Sequence, residues 1–135
     1  MKKITRLASI ALTLVVLISS SIVANAGVKE KTLEKARSAV KHASADEWQT
    51  YARSASMLLE KNVSWEDAKK WLDKSLSIKE AAYNLEVMGD YYVLNNQLTK
   101  GLEYYVKSLG KIENTGSKIR AGKIQEKINL VNKAN

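Results

Sequence analysis

Apolar side chains recur along this chain every three or four residues and seldom alternate, so the pattern predicts helix after helix. Leu33, Ala36, Val40 and Ala43 share one side of a first helix near 30–43, with the Thr32 hydroxyl as acceptor for its exposed N–H groups. Ser44 or Asp46 can cap a second helix, whose stripe is Trp48, Ala52, Ala55 and Leu59 and which Asn62 closes before a turn at Val63. Ser64-Trp65-Glu66-Asp67 has the spacing of a capping box with Asp in the last place, and opens a third helix carrying Trp65, Ala68, Leu72 and Leu76. A fourth helix runs from Ala81 to Leu94, a fifth from Leu98 to Ile112, and a sixth from Ser117 to Lys133 with Ile119, Ile124, Ile128 and Val131. Asn95-Asn96 and Asn114-Thr115-Gly116 supply the turns between them. Turns this short make neighbouring helices antiparallel, so the expected fold class is all-α.

The first 26 residues read differently. Lys2, Lys3 and Arg6 form a basic start, Leu7 to Ile18 is apolar apart from Ser9 and Thr13, and Ala24-Asn25-Ala26 offers a small-x-small cleavage pattern. That is the build of a secretory signal peptide cleaved after Ala26, leaving residues 27–135 in a periplasm or outside the cell. The alternative is an uncleaved N-terminal anchor, because Leu7 to Val23 approaches the roughly 17 residues of the shortest spanning helix.

Beyond the leader, the chain repeats itself at an offset of 33 residues. Lys74-Ser75-Leu76 recurs as Lys107-Ser108-Leu109, Asn62 as Asn95, Ala68 as Gly101, and Trp71-Leu72 as Tyr104-Tyr105. Leu85, Met88-Gly89, Tyr92, Gly101 and Tyr105 resemble one copy of the tetratricopeptide repeat (TPR). Ala52, Ala55-Ser56, Leu59, Ala68 and Leu72 resemble the copy before it in small-versus-large character. The resemblance covers residues 49–115 and departs where Glu80 and Glu113 replace the usual Pro. It implies a TPR-like solenoid of antiparallel helical hairpins: a half repeat at 30–43, a first repeat at 45–79, a second at 81–113, and a C-terminal capping helix at 117–133. Gly89 and Ser56 would let the helices of a hairpin approach, and Gly101 and Ala68 would seat the second helix. The competing fold is an ordinary six-helix bundle.

Composition narrows function. The chain has no Cys and no Pro, and the lack of Cys excludes disulfides, zinc fingers, iron–sulfur sites and thiol nucleophiles, while the lone His42 cannot form a multi-His metal site. No nucleophile, base and orienting group can be assembled, so no catalytic residue, metal or cofactor is expected. Asp46-Glu47 and Glu66-Asp67 are accounted for as acids at the positive ends of helices. Removing the leader reduces the net charge from +8 to +5, with residues 27–43 at +3, 44–110 at −2 and 111–135 at +4. Export and this near-neutral centre speak against a nucleic-acid partner. Helical spacing makes Tyr92 and Tyr105 core and leaves Tyr83, Tyr91 and Tyr104 open to a partner or a sugar.

Surfaces then carry the argument, because fold alone does not supply function. In the solenoid that the resemblance implies, the first helix of each hairpin lines a concave side. Thr50, Arg53, Met57 and Glu60 form one stripe at spacings of three and four, and Tyr83, Glu86, Asp90 and Val93 the matching stripe. These eight residues are the candidate groove for a partner protein or peptide of the cell envelope carrying basic and apolar groups. The alternative is electrostatic binding of an anionic envelope surface, lipid or polysaccharide, through Lys118, Arg120, Lys123 and Lys127 on the last helix. Self-association is a third expectation, since two and a half repeats lie near the lower limit for such arrays.

Overall fold

The computed structural model of the protein describes residues 25–113 and 117–134; residues 1–24 of the expected leader and the turn expected at Asn114-Thr115-Gly116 lie outside them. The described residues form six helices and no strand: α1 (residues 25–41), α2 (Trp48–Glu60), α3 (Trp65–Ile78), α4 (Ala82–Leu94), α5 (Leu98–Glu113) and α6 (Lys118–Ala134). Helix α1 begins five residues before the expected start. Thr32 therefore lies inside it, and its hydroxyl donates 2.8 Å back to the Val28 carbonyl, as threonines do within helices. Neither Ser44 nor Asp46 caps α2. Its N-cap is Glu47, whose carboxylate accepts from the Ser44 N–H at 3.3 Å and from the Thr50 hydroxyl. At the start of α3 the Ser64 hydroxyl accepts from the Asp67 N–H and donates to the Asp67 carboxylate at 3.0 Å. Arg37 of α1 reaches the same carboxylate at 2.8 Å.

Helices α2 and α3 form one hairpin, α4 and α5 another, with α4 packed on both α2 and α3, and α6 on α5. One apolar cluster gathers Ala36 of α1, Ala55 and Leu58 of α2, Ala68 and Leu72 of α3, and Met88 of α4. A second gathers Tyr105 and Ile112 of α5 with Ile124, Ile128 and Val131 of α6. Each fully buried Leu, Ile or Met contributes about 1.5–3 kcal/mol by leaving water, so these clusters dominate the stability.

Two polar devices recur. Helices α2 and α4 both end in a left-handed asparagine, Asn62 at φ 51° and Asn96 at φ 59°. At each, two backbone N–H groups turn back onto the last turn: Val63 to Leu58 and Asn62 to Leu59, then Gln97 to Tyr92 and Asn96 to Val93. A buried serine of the second helix also donates to the first carbonyl of its partner, Ser75 to Trp48 at 2.8 Å and Ser108 to Ala82 at 2.6 Å. The first copy carries an addition. Ser75 accepts from the Asn84 amide at 3.0 Å, and that amide donates to the Lys79 carbonyl at 2.6 Å.

These contacts revise the offset. Ser75 and Ser108 are 33 apart, but the turn contacts and the bounds of α2 and α4 are 34 apart, so Asn62 corresponds to Asn96 rather than Asn95. The extra residue lies in the turns, four residues before α3 but three before α5. Ala55, fully buried, is consequently the counterpart of Gly89, whereas Ser56 is half-exposed and donates to Glu60. The close approach at Gly89 itself is present. A Cβ there would stand 2.5 Å from the Tyr105 ring and 3.2 Å from the Gly101 carbonyl, and one on Gly101 would strike Val93.

Candidate functional site

The N-terminal turns of α2, α4 and α6 meet at one end of a shared face: Trp48 and Gln49 from the first turn of α2, Arg53 from its second, Tyr83, and Arg120 line a single cavity. The last turns of α2 and α4 meet at the other end, where Ser56, Leu59 and Glu60 face Asp90, Val93 and Leu94 over the Tyr105 ring in a cleft of about 350 Å³.

Between the ends lies a charged strap. Lys127 bonds Glu86 at 2.8 Å and Asp90 at 2.7 Å, Arg120 reaches Glu86 at 3.4 Å, and the Tyr105 hydroxyl donates to Asp90 at 2.6 Å. The Lys127 ammonium and the Arg120 guanidinium also sit over the rings of Tyr105 and Tyr83. Burial alone would lower the pKa of Lys127, but its bonds to Asp90 and Glu86 outweigh it and hold the ammonium above the ordinary lysine value. Burial pushes the Tyr105 hydroxyl up, and the bond to Asp90 pushes it further. Two of the expected groove residues, Glu86 and Asp90, are thus joined to two of the four expected surface cations. The expected groove and the expected basic stripe meet at these four residues.

The eight groove residues separate accordingly. Glu60, Asp90 and Val93 share the cleft at the C-terminal ends, Arg53 and Tyr83 the cavity at the N-terminal ends, and Glu86 the strap. Thr50 is spent on Glu47, and Met57 is half-buried and lines neither cavity. The cause is the 34-residue offset: one residue turns a side chain about 100° around a helix. Asp90 and Val93 therefore correspond to Ser56 and Leu59 rather than Met57 and Glu60. Ser56, Leu59, Leu94 and Tyr105 are the lining residues that periodicity alone misses, and matching Asn62 to Asn96 finds the first two.

Tyr105 is 3% exposed, but Tyr92 is half-buried and stacks on Tyr104 at 5.3 Å. Tyr83, Tyr91 and Tyr104 all pack against the first apolar cluster. His42 follows α1, exposed, with Nδ1 2.8 Å from the Ser38 carbonyl oxygen. Among the described residues no group of His, Asp and Glu is placed to hold a metal ion, and no helix is long and apolar enough to cross a membrane.

The two ends carry opposite electrostatics. No acid stands in the first turn of α4 or α6 and no base in the last turn of α4, whereas at α2 the Glu47 N-cap and the Lys61 C-cap offset the backbone dipole. Comparison with protein-family models, with curated proteins and with solved structures returns no match.

Proposed function

We propose that this chain is an exported, tetratricopeptide-like interaction module of the bacterial cell envelope. It binds a partner protein or peptide segment and performs no chemistry of its own. The observation that carries this reading is the cleft where Leu59, Val93 and Leu94 stand beside Glu60 and Asp90. Leu94 is 55% exposed there, an apolar side chain held open at a rim. Glu60 is exposed and has no cation at ion-pair distance among the described residues. Such a surface accepts an apolar side chain followed by a basic one, and rigid helices present it with little ordering cost. The repeat reading is supported by the two hairpins, the recurring asparagine turns, the recurring serine bonds and the Gly89–Gly101 crossing. Export is supported by the basic start, the apolar run and Ala24-Asn25-Ala26.

Glu86 and Asp90 cannot test this, because their reversal attacks the strap. The test uses Leu94→Lys/Glu60→Lys, two substitutions on exposed side chains. Labelled peptides pairing Leu with Lys, and analogues pairing Leu with Glu, are titrated by fluorescence anisotropy against both proteins. The reading expects the basic set to bind the wild type preferentially and to lose about tenfold or more in affinity with the variant, helicity unchanged. Equal binding of both sets, or indifference to the variant, refutes it.

A further inference from the structure

At the opposite end, the cavity lined by Trp48, Gln49, Arg53, Tyr83 and Arg120 adjoins a second of about 530 Å³, and the two share Tyr83 and Arg120 as a wall. Glu86, Ser117, Ile119 and Lys123 complete the second. Almost every polar group that converges here is a donor. Arg53 and Lys123 are exposed and take part in no ion pair among the described residues, nor does the neighbouring Lys118. Two carboxylates lie close. Glu86 is shared between Arg120 and Lys127, and Glu47, which attracts Arg53, is occupied by Thr50 and the Ser44 N–H.

A site of this composition stabilises an anion with more oxygens than a carboxylate offers. We infer that these two cavities form a binding site for a phosphate group, held by Arg53, Arg120 and Lys123, with the body of the ligand lying along Tyr83 and Ile119. Guanidinium forks match phosphate oxygens bidentately, and the helix starts of α4 and α6, whose first turns hold no acid, add positive potential of the same sign. Ile119 is 81% exposed between Lys118 and Arg120, so the site's outer edge presents an apolar side chain beside cations, the arrangement that meets a phospholipid headgroup and its first carbons. The site is independent of the peptide cleft: it uses none of its lining residues.

The probes are inorganic phosphate and dihexanoyl phosphatidylglycerol kept below its micelle concentration, titrated calorimetrically into the full chain. The variants are Arg53→Gln/Lys123→Gln and, as a distant control, Lys107→Gln, all on exposed side chains with circular dichroism to check the fold. The inference expects the first variant to weaken binding about tenfold or more and the control to leave it unchanged. Tighter binding of the lipid than of inorganic phosphate assigns the site to a headgroup, and equal binding assigns it to a free phosphorylated molecule. Absence of binding by both probes, or binding that both variants lower alike, overturns it.

Discussion

The two ends of the face that α2 and α4 share have opposite chemistry, with α6 completing the first end and Tyr105 of α5 the second. At the helix starts the lining is Arg53, Arg120 and Lys123 with Trp48 and Tyr83; at the helix ends it is Leu59, Val93 and Leu94 with Glu60 and Asp90. Parallel helices aligned in register give one face a positive and a negative end through their backbones alone. The side chains that line the two cavities follow that polarity, while Glu47 and Lys61 oppose it at the two ends of α2. The strap of Lys127, Glu86, Asp90, Arg120 and Tyr105 keeps the ends apart and fixes α6 against α4. A ligand's orientation on this face would follow from its own charge distribution.

The harshest way to break the comparison is to reverse the strap. Glu86→Lys/Asp90→Lys sets two new cations against Lys127 and Arg120 and removes the acceptor of the Tyr105 hydroxyl. Glu86 and Asp90 are only 15% and 29% exposed, but Arg120 is 40% exposed, so solvent screening reduces the penalty of a broken buried pair. A loss of about 2–4 kcal/mol remains. Urea unfolding should show it as a lower midpoint; an unchanged midpoint would mean that α6 is held by its apolar side alone.

Next in size is the glycine crossing, which props the acidic end. Gly89→Ala gains about 1 kcal/mol of helix propensity. It also drives a methyl into the Tyr105 ring, which Asp90 pins through its hydroxyl. Overpacking of this kind costs about 1–3 kcal/mol, so the net loss should be up to about 2 kcal/mol. Gly89→Ala/Tyr105→Leu, measured in a double-mutant cycle, should recover part of it. Additive losses would refute the contact.

Much of this architecture is legible in the sequence, and the part that is not has a definite cause. Spacing of the apolar residues locates the six helices of the described residues, and small residues at Gly89 and Gly101 point to the crossing. The register between copies is ambiguous by one, because Asn95 and Asn96 are adjacent and either matches Asn62 as a letter. Only φ 59° at Asn96 and the N–H bonds behind it single out the turn residue. That single residue shifts the correspondence of α2 with α4 and exchanges Met57 for Ser56 in the cleft. The strap is hidden for another reason. Lys127 and Glu86 are 41 positions apart, and nothing in periodicity pairs a cation on the last helix with a carboxylate on the fourth.

Alkali should loosen the strap without mutation. Lys127 and Tyr105 both have folded pKa values above their unfolded ones, which lie near 10. Their stabilisation is therefore complete below about pH 10 and is lost as pH rises through the folded values. Thermal midpoints measured from about pH 9 to about pH 11 should fall more steeply for the wild type than for Lys127→Arg, whose guanidinium does not titrate there. Parallel curves would show that Lys127 does not govern this stretch.

Smallest in stability, and sharpest for the comparison, is a pair of single substitutions at the two ends. Leu94→Ser and Arg53→Gln both change exposed side chains that carry little packing, so each should shift stability by no more than about 0.5 kcal/mol. Their effects on binding should be disjoint. Leu94→Ser should weaken the Leu–Lys peptides and leave phosphate titrations alone, and Arg53→Gln should do the reverse. A shared loss at both ends would instead mean that the strap couples them, since Glu86 and Asp90 stand between the two clefts and answer to the same lysine.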